Sequence, residues 1–187
     1  DKVKGNKRNI HRSKVQSLLL KTVIKYAPIA LAEPDNYEAR ANLMWSSSWA
    51  INGFINGGKR KAWSCHPMEH ELSAFYDITH GVGLAILTPR WMRYILNDDN
   101  VDKFVSYAVN VWGIKNEGEK YDIANKGIDA TENFFRSCGI PMTLTEVGID
   151  REHFRKMAED AVKYGRLEYA YRPLTADDVC NIYEMCL

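Results

Sequence analysis

Three of the chain's five histidines fall in one segment, WSCHPMEHELSAFYDITHGVGLAILTPRWMR, at positions 63–93. Their spacing constrains the fold more than any other feature. His66 and His70 are four apart, so on a helix they share one face, about 6 Å apart along its axis. His80 stands fourteen residues beyond His66, which on one unbroken helix means about 21 Å. Two imidazole nitrogens on a single metal ion, each at ~2.1 Å, are no more than ~4 Å apart. His66 and His80 can therefore share an ion only if the chain reverses between them. Asp77-Ile78-Thr79 supplies the break, with Thr79 or Asp77 suited to cap a second helix beginning near His80. Gly81, Gly83 and Ala85 would let that helix approach a neighbour closely.

The remaining sequence reads as a helical shell around this segment. Residues 1–12, with Lys2, Lys4, Lys7, Arg8 and Arg12, form a leading loop; no aromatics interleave the charges, which argues against a nucleic-acid arm. Helical spacing begins at Ser13 and runs to Tyr26, where Pro28 is expected to end or kink it. Tyr37 to Ile55 is apolar nearly all round, the pattern of a central helix, and Asn56-Gly57-Gly58 followed by Lys59-Arg60-Lys61 closes it. Pro89 is expected to bend the helix that starts near Gly81. Helices are predicted at Val101–Trp112, stopped by Gly113, and at Lys120–Cys138, stopped by Gly139. Asp150 is expected to cap Arg151–Tyr164, and Thr175, with Asp178 in capping-box position, to cap Ala176–Cys186. No alternating strand stands out, so the fold class is all-α, with eight or nine helices and one helical domain spanning 13–187.

A net charge of +1 gives no reason to expect nucleic acid or an anionic membrane as partner. No apolar run is expected to approach the ~20 residues needed to span a bilayer. Cys65, Cys138, Cys180 and Cys186 form no CxxC pair, and buried thiols in a reducing cytoplasm are the expectation. The chain opens at Asp1 in a basic, polar run, which suggests that a front part is missing.

The stretch HPMEHELSAFYDITHGVGLAILTPRWM resembles the metal-binding segment of the iron-containing (group III) alcohol dehydrogenases, and among them the clostridial NAD(P)H-dependent butanol dehydrogenase type. PDNYEARANLMWSSSWAINGF, ILNDDNVDKFVSYAVNVWGI and Arg172-Pro173-Leu174 resemble the same family in the same order, from about His11 to the end. The resemblance implies the helical C-terminal half of a two-domain enzyme of the dehydroquinate synthase-like type. It places the metal ligands on His66 and His80, holding Fe2+ or Zn2+, and a catalytic role on His70. It also implies NADH or NADPH bound by an N-terminal dinucleotide-binding domain, a small aldehyde or alcohol substrate, a cytoplasmic location and a second copy of the chain as partner. The family's D-x-x-x-H motif and Gly-rich phosphate loop have no counterpart here, so this chain by itself is expected to be inactive.

Other readings of the same residues follow from their types. Metalloprotease chemistry needs HExxH, and Pro67 stands where its Glu would be. Pro67 also biases His66 away from helical angles, so a helix is expected to begin at Pro67 with His66 at its cap, or to kink there. Glu69 and Glu71 are expected to face solvent or cap neighbouring helices, with support of an imidazole as the alternative. Asp77 is read as a turn residue, and His11 and His153 as surface residues. The rival to the enzyme is a stand-alone helical interaction module whose histidines are structural.

Overall fold

The computed structural model describes residues 8–56 and 63–187. Most of the leading loop, the Gly57-Gly58 turn and the basic Lys59-Arg60-Lys61 lie outside the described residues. Those that are described form eight α-helices and no strand, as the sequence predicts: α1 (Arg8–Ala32), α2 (Tyr37–Ile51), α3 (Cys65–Tyr76), α4 (His80–Ile95), α5 (Val101–Trp112), α6 (Lys120–Ser137), α7 (Phe154–Gly165) and α8 (Ala176–Glu184). They group into two compact units, one from Asp1–Arg60 and Val101–Gly127, the other from Lys61–Asn100 and Ile128–Leu187.

In the first unit α1 packs on α2 and on α5. Three expectations are corrected here. Of the two roles expected of Pro28, it does not end α1, which continues to Ala32. The amide of Glu33, just past the last helical residue, donates to Ile29 O at 2.8 Å, and Pro34 follows. The helix also starts at Arg8, inside the expected loop. The α2 helix is not central either: only Ala39 and Ser46 are buried, while Met44, Trp45 and Ile51 are more than half exposed. Its apolar content is real, but within this unit α1 covers one side of it only. Segment 14–32 is long and apolar enough to cross a membrane by length and composition, although Lys21 and Lys25 interrupt it. Gly113 stops α5 as expected, with φ +70° and its amide on Val109 O.

The second unit holds the histidine segment. Its helices α3, α4, α7 and α8 pack together in the pairs α3–α4, α3–α7, α7–α8 and α4–α8. The α7 core face, Phe154, Met157, Ala158 and Ala161, has the i, i+3, i+4, i+7 spacing of a one-sided helix. It begins three residues later than expected; Asp150 instead accepts the Glu152 amide ahead of it. At its end Gly165 rests on α3, where a Cβ would lie 2.1 Å from Cβ of Pro67. Thr175 and Asp178 form the predicted capping box of α8, and the buried Tyr183 donates its hydroxyl to Met68 O at 2.8 Å. Thus α7 and α8 hold α3 from behind, over the first turn that carries His66. Arg172, in the late Arg-Pro-Leu run, donates to Tyr94 O at 2.9 Å near the end of α4, and Leu174 is buried. Cys65 and Cys186 are free thiols pushed up to about 12 by burial.

Candidate metal centre

The α3 helix begins at Cys65, after Ser64. His66 therefore lies inside the first turn rather than at the cap, and Pro67 sits where the helix has no use for its missing N–H. Asp77 ends the helix in the left-handed conformation (φ 52°, ψ 35°), its amide donating to Ser73 O. Asn and Asp enter this region more readily than other non-glycine residues, so Asp77 has the turn role the sequence assigned it. Thr79 leads into α4, which starts at His80; its carbonyl accepts the Val82 and Gly83 amides.

This reversal brings the three rings together. The centroids of His66 and His80 are 5.3 Å apart, those of His66 and His70 6.1 Å, and those of His70 and His80 5.6 Å with the last two stacked at 28°. The sequence demanded a turn-back of some 21 Å along a helix axis, and the structure provides it. His70 and His80 are exposed, and His66 is half-buried against Trp63 at 4.2 Å between ring centroids. His153 stands apart, against Phe75 and Tyr76.

Glu69 departs from the role the sequence reading put first and lies where its alternative, support of an imidazole, would put it. Its side chain is fully buried, neither facing solvent nor capping a helix. Oε1 accepts the Ser73 hydroxyl at 2.6 Å, while Oε2 lies against Nδ1 of His80. The helical spacing 66, 69, 70, 73 puts Glu69 on the histidine face, and that signal was available; what turned the side chain inward is the return of α4. Gly83 makes the space, since a Cβ there would lie 2.7 Å from Cγ of Glu69. The second glycine, Gly81, meets nothing within 4 Å, so only one of the two is needed for close approach. Glu71, by contrast, is half-buried; burial first, then the Asp160 carboxylate, raises its carboxyl above the usual range.

The donor chemistry suits a divalent metal, although His66, one of the two ligands the resemblance implies, stands outside the group of donor atoms that lie close enough together. Glu69, His70 and His80 each offer an atom within 4.8 Å of the others, and imidazole nitrogen suits Fe(II) and Zn(II) alike. A carboxylate buried behind one imidazole is the arrangement that orients metal-ligating histidines in general.

An all-helical fold, a helix–reversal–helix segment and converging imidazoles define a class, and comparison with known proteins gives it a family. Residues 11–187 match the model of the Fe-containing alcohol dehydrogenase family, C-terminal part, and the chain belongs to that family. It is 56% identical over 171 residues to NADH-dependent butanol dehydrogenase A of Clostridium acetobutylicum, a match covering 91% of this chain and 44% of the relative. Butanol dehydrogenase B of the same organism is 54% identical, with 92% and 45% covered. The chain thus spans about half the length of these curated relatives. Among solved structures, the substrate- and cofactor-free aldehyde reductase YqhD of Escherichia coli superposes with a TM-score of 0.89 at 32% identity, over 98% of this chain and 48% of that one. NADH-dependent butanol dehydrogenase A of Thermotoga maritima gives 0.84 at 35% identity, over 94% and 46%.

Proposed function

We propose that this chain is the metal-binding C-terminal half of an NAD(P)H-dependent alcohol dehydrogenase that interconverts short aldehydes and primary alcohols of the butanal and butanol type. The observation that carries this reading is the clustering of the His66, His70 and His80 rings, with centroids 5.3–6.1 Å apart, across the Asp77 reversal. The kinship with butanol dehydrogenases supports it.

In this reading His66 and His80 hold a divalent ion, Fe2+ or Zn2+. Bound there, the ion supplies Lewis-acid polarisation of the substrate oxygen. The residues of the chain do the rest. Trp63 restricts the His66 ring from one side. His70, exposed beside His80, is placed to pass a proton between solvent and the substrate oxygen, a task suited to imidazole at neutral pH. The hydride comes from NADH or NADPH, held by a dinucleotide-binding domain N-terminal to this chain.

Two imidazoles are fewer than the three protein ligands usual in a catalytic zinc site, so the chain alone binds metal weakly and does not turn over. The test loads it with Fe2+ or Zn2+, measures retained metal, and assays butyraldehyde reduction with NADH and with NADPH. No turnover is expected, and His66→Ala and His80→Ala each lower metal retention at least tenfold. Turnover matching an intact butanol dehydrogenase would overturn the assignment as an inactive half. Unchanged retention in both variants would overturn the ligand assignment.

A further inference from the structure

We infer that Glu69 is a positioning residue that holds the His80 ring with its Nδ1 proton turned inward, so that Nε2 is the nitrogen offered to the metal. The inference rests on the reading of His80 as a ligand and adds which of its atoms binds, and why.

Several observations converge on this carboxylate. Glu69 has no exposed surface. One oxygen accepts the single hydroxyl hydrogen of Ser73 at 2.6 Å, the shorter of that hydroxyl's two contacts, the other being Ile78 O at 3.1 Å. The other oxygen touches Nδ1 of His80 and has no hydrogen-bond partner besides. A carboxylate oxygen accepts only, so the nitrogen facing it is the one that carries hydrogen. A neutral imidazole with its proton on Nδ1 leaves the Nε2 lone pair free. Gly83 fits the same account, because any side chain there would drive Glu69 off the ring.

The reading splits the segment's polar residues into two layers. Histidines 66, 70 and 80 face the open side. Glu69 and Ser73 lie behind them, with Glu69 against the imidazole of α4. His80 belongs to the first turn of α4 and is half exposed, so without this hold its ring is free to rotate about the Cα–Cβ bond and to exchange tautomers. Loss of such a supporting partner typically costs ~10–100-fold in metal affinity.

The test uses the chain labelled with 15N-histidine, metal-free, at pH 8, where long-range 1H–15N spectra report which ring nitrogen of His80 is protonated. Co2+ affinity is then measured by its visible absorption in competition with a chelator. In the wild type His80 is expected as the Nδ1–H tautomer. Glu69→Ala returns His80 to a tautomer mixture and weakens Co2+ binding by ~10–100-fold. Glu69→Gln, which keeps an acceptor oxygen, retains the tautomer and recovers part of the affinity. Wild-type His80 protonated on Nε2, or Glu69→Ala with tautomer and affinity both unchanged, would overturn the inference. A tautomer that shifts in Glu69→Ala while His80→Ala leaves Co2+ affinity unchanged supports the Glu69–His80 contact and overturns the ligand reading instead. Circular dichroism checks that each variant folds; should Glu69→Ala fail to fold, the wild-type tautomer and Glu69→Gln decide.

Discussion

A single methyl group added at Gly83 measures how firmly the buried carboxylate is held. Alanine in place of glycine inside a helix normally stabilises by ~0.5–1 kcal/mol, because the unfolded chain has less freedom to lose. At Gly83 the new Cβ would stand 2.7 Å from Cγ of Glu69, 3.0 Å from Oε1 and 3.3 Å from Cδ. Carbon atoms pack best at ~3.5–4.0 Å, so Glu69 must retreat by roughly 1 Å. A solvent-facing Glu would swing aside without cost. This one is fully enclosed and engaged at both oxygens, and overpacking of that kind costs ~1–3 kcal/mol. The net expectation for Gly83→Ala is a loss of ~0–2.5 kcal/mol. Gly81→Ala is the internal control, two residues away on the same helix with nothing within 4 Å of its Cβ; it should be neutral or slightly stabilising. The two variants should therefore differ by ~1–3 kcal/mol, or ~2–12 °C in melting temperature for a chain of this size. Thermal unfolding followed by circular dichroism gives the comparison. Equal melting temperatures for the two variants would show that Glu69 moves freely, and the account of Gly83 as its cradle would fall.

Two further predictions concern charges away from the histidines. Glu132 pairs with the buried Arg90 at 2.8 Å and with Arg93 at 2.9 Å; Glu132→Ala should cost ~3 kcal/mol or more by stranding Arg90, whereas Asp129→Ala, at the exposed end of the network, should cost under ~1 kcal/mol, both read from denaturant unfolding. The carboxyl of Glu146 is held below its ordinary value of 4.5 by the Met142 amide, then the Arg136 guanidinium and the Thr143 amide. A lowered carboxyl contributes stability that is present above that ordinary value and lost as pH falls through the lowered one, so melting temperature should drop on acidification below about pH 4.5 and drop less in Glu146→Gln.

How far the sequence carried each part of the fold depends on how local its cause is. The ends of α5 and α8 and the break between α3 and α4 were legible because Gly113, Thr175 with Asp178, and Asp77 act through the backbone within a turn of their own position. The convergence of the histidines was legible because a fourteen-residue separation leaves few ways for two rings to meet. Pro28 does not end α1: a proline removes one helical hydrogen bond, and the helix runs on for four more residues to Ala32. The exposure of Trp45 and Met44 was not legible at all: apolar content says that a surface resists water, not which element covers it. Glu69 lay between these cases. Its face was set by helical spacing and the close approach was foreseen at Gly83, but which side chain that glycine would cover depends on how α4 returns, and that shows only in three dimensions.

The left-handed residue at Asp77 carries a consequence for how the chain reaches its native state. All three imidazoles come from fifteen consecutive positions, His66 to His80, so their meeting requires closure of one short loop, an event on the ~10–100 ns scale for a flexible chain of similar length. The rings therefore meet through contacts close in sequence, while the packing that holds α3 beneath them comes from α7 and α8, far along the chain.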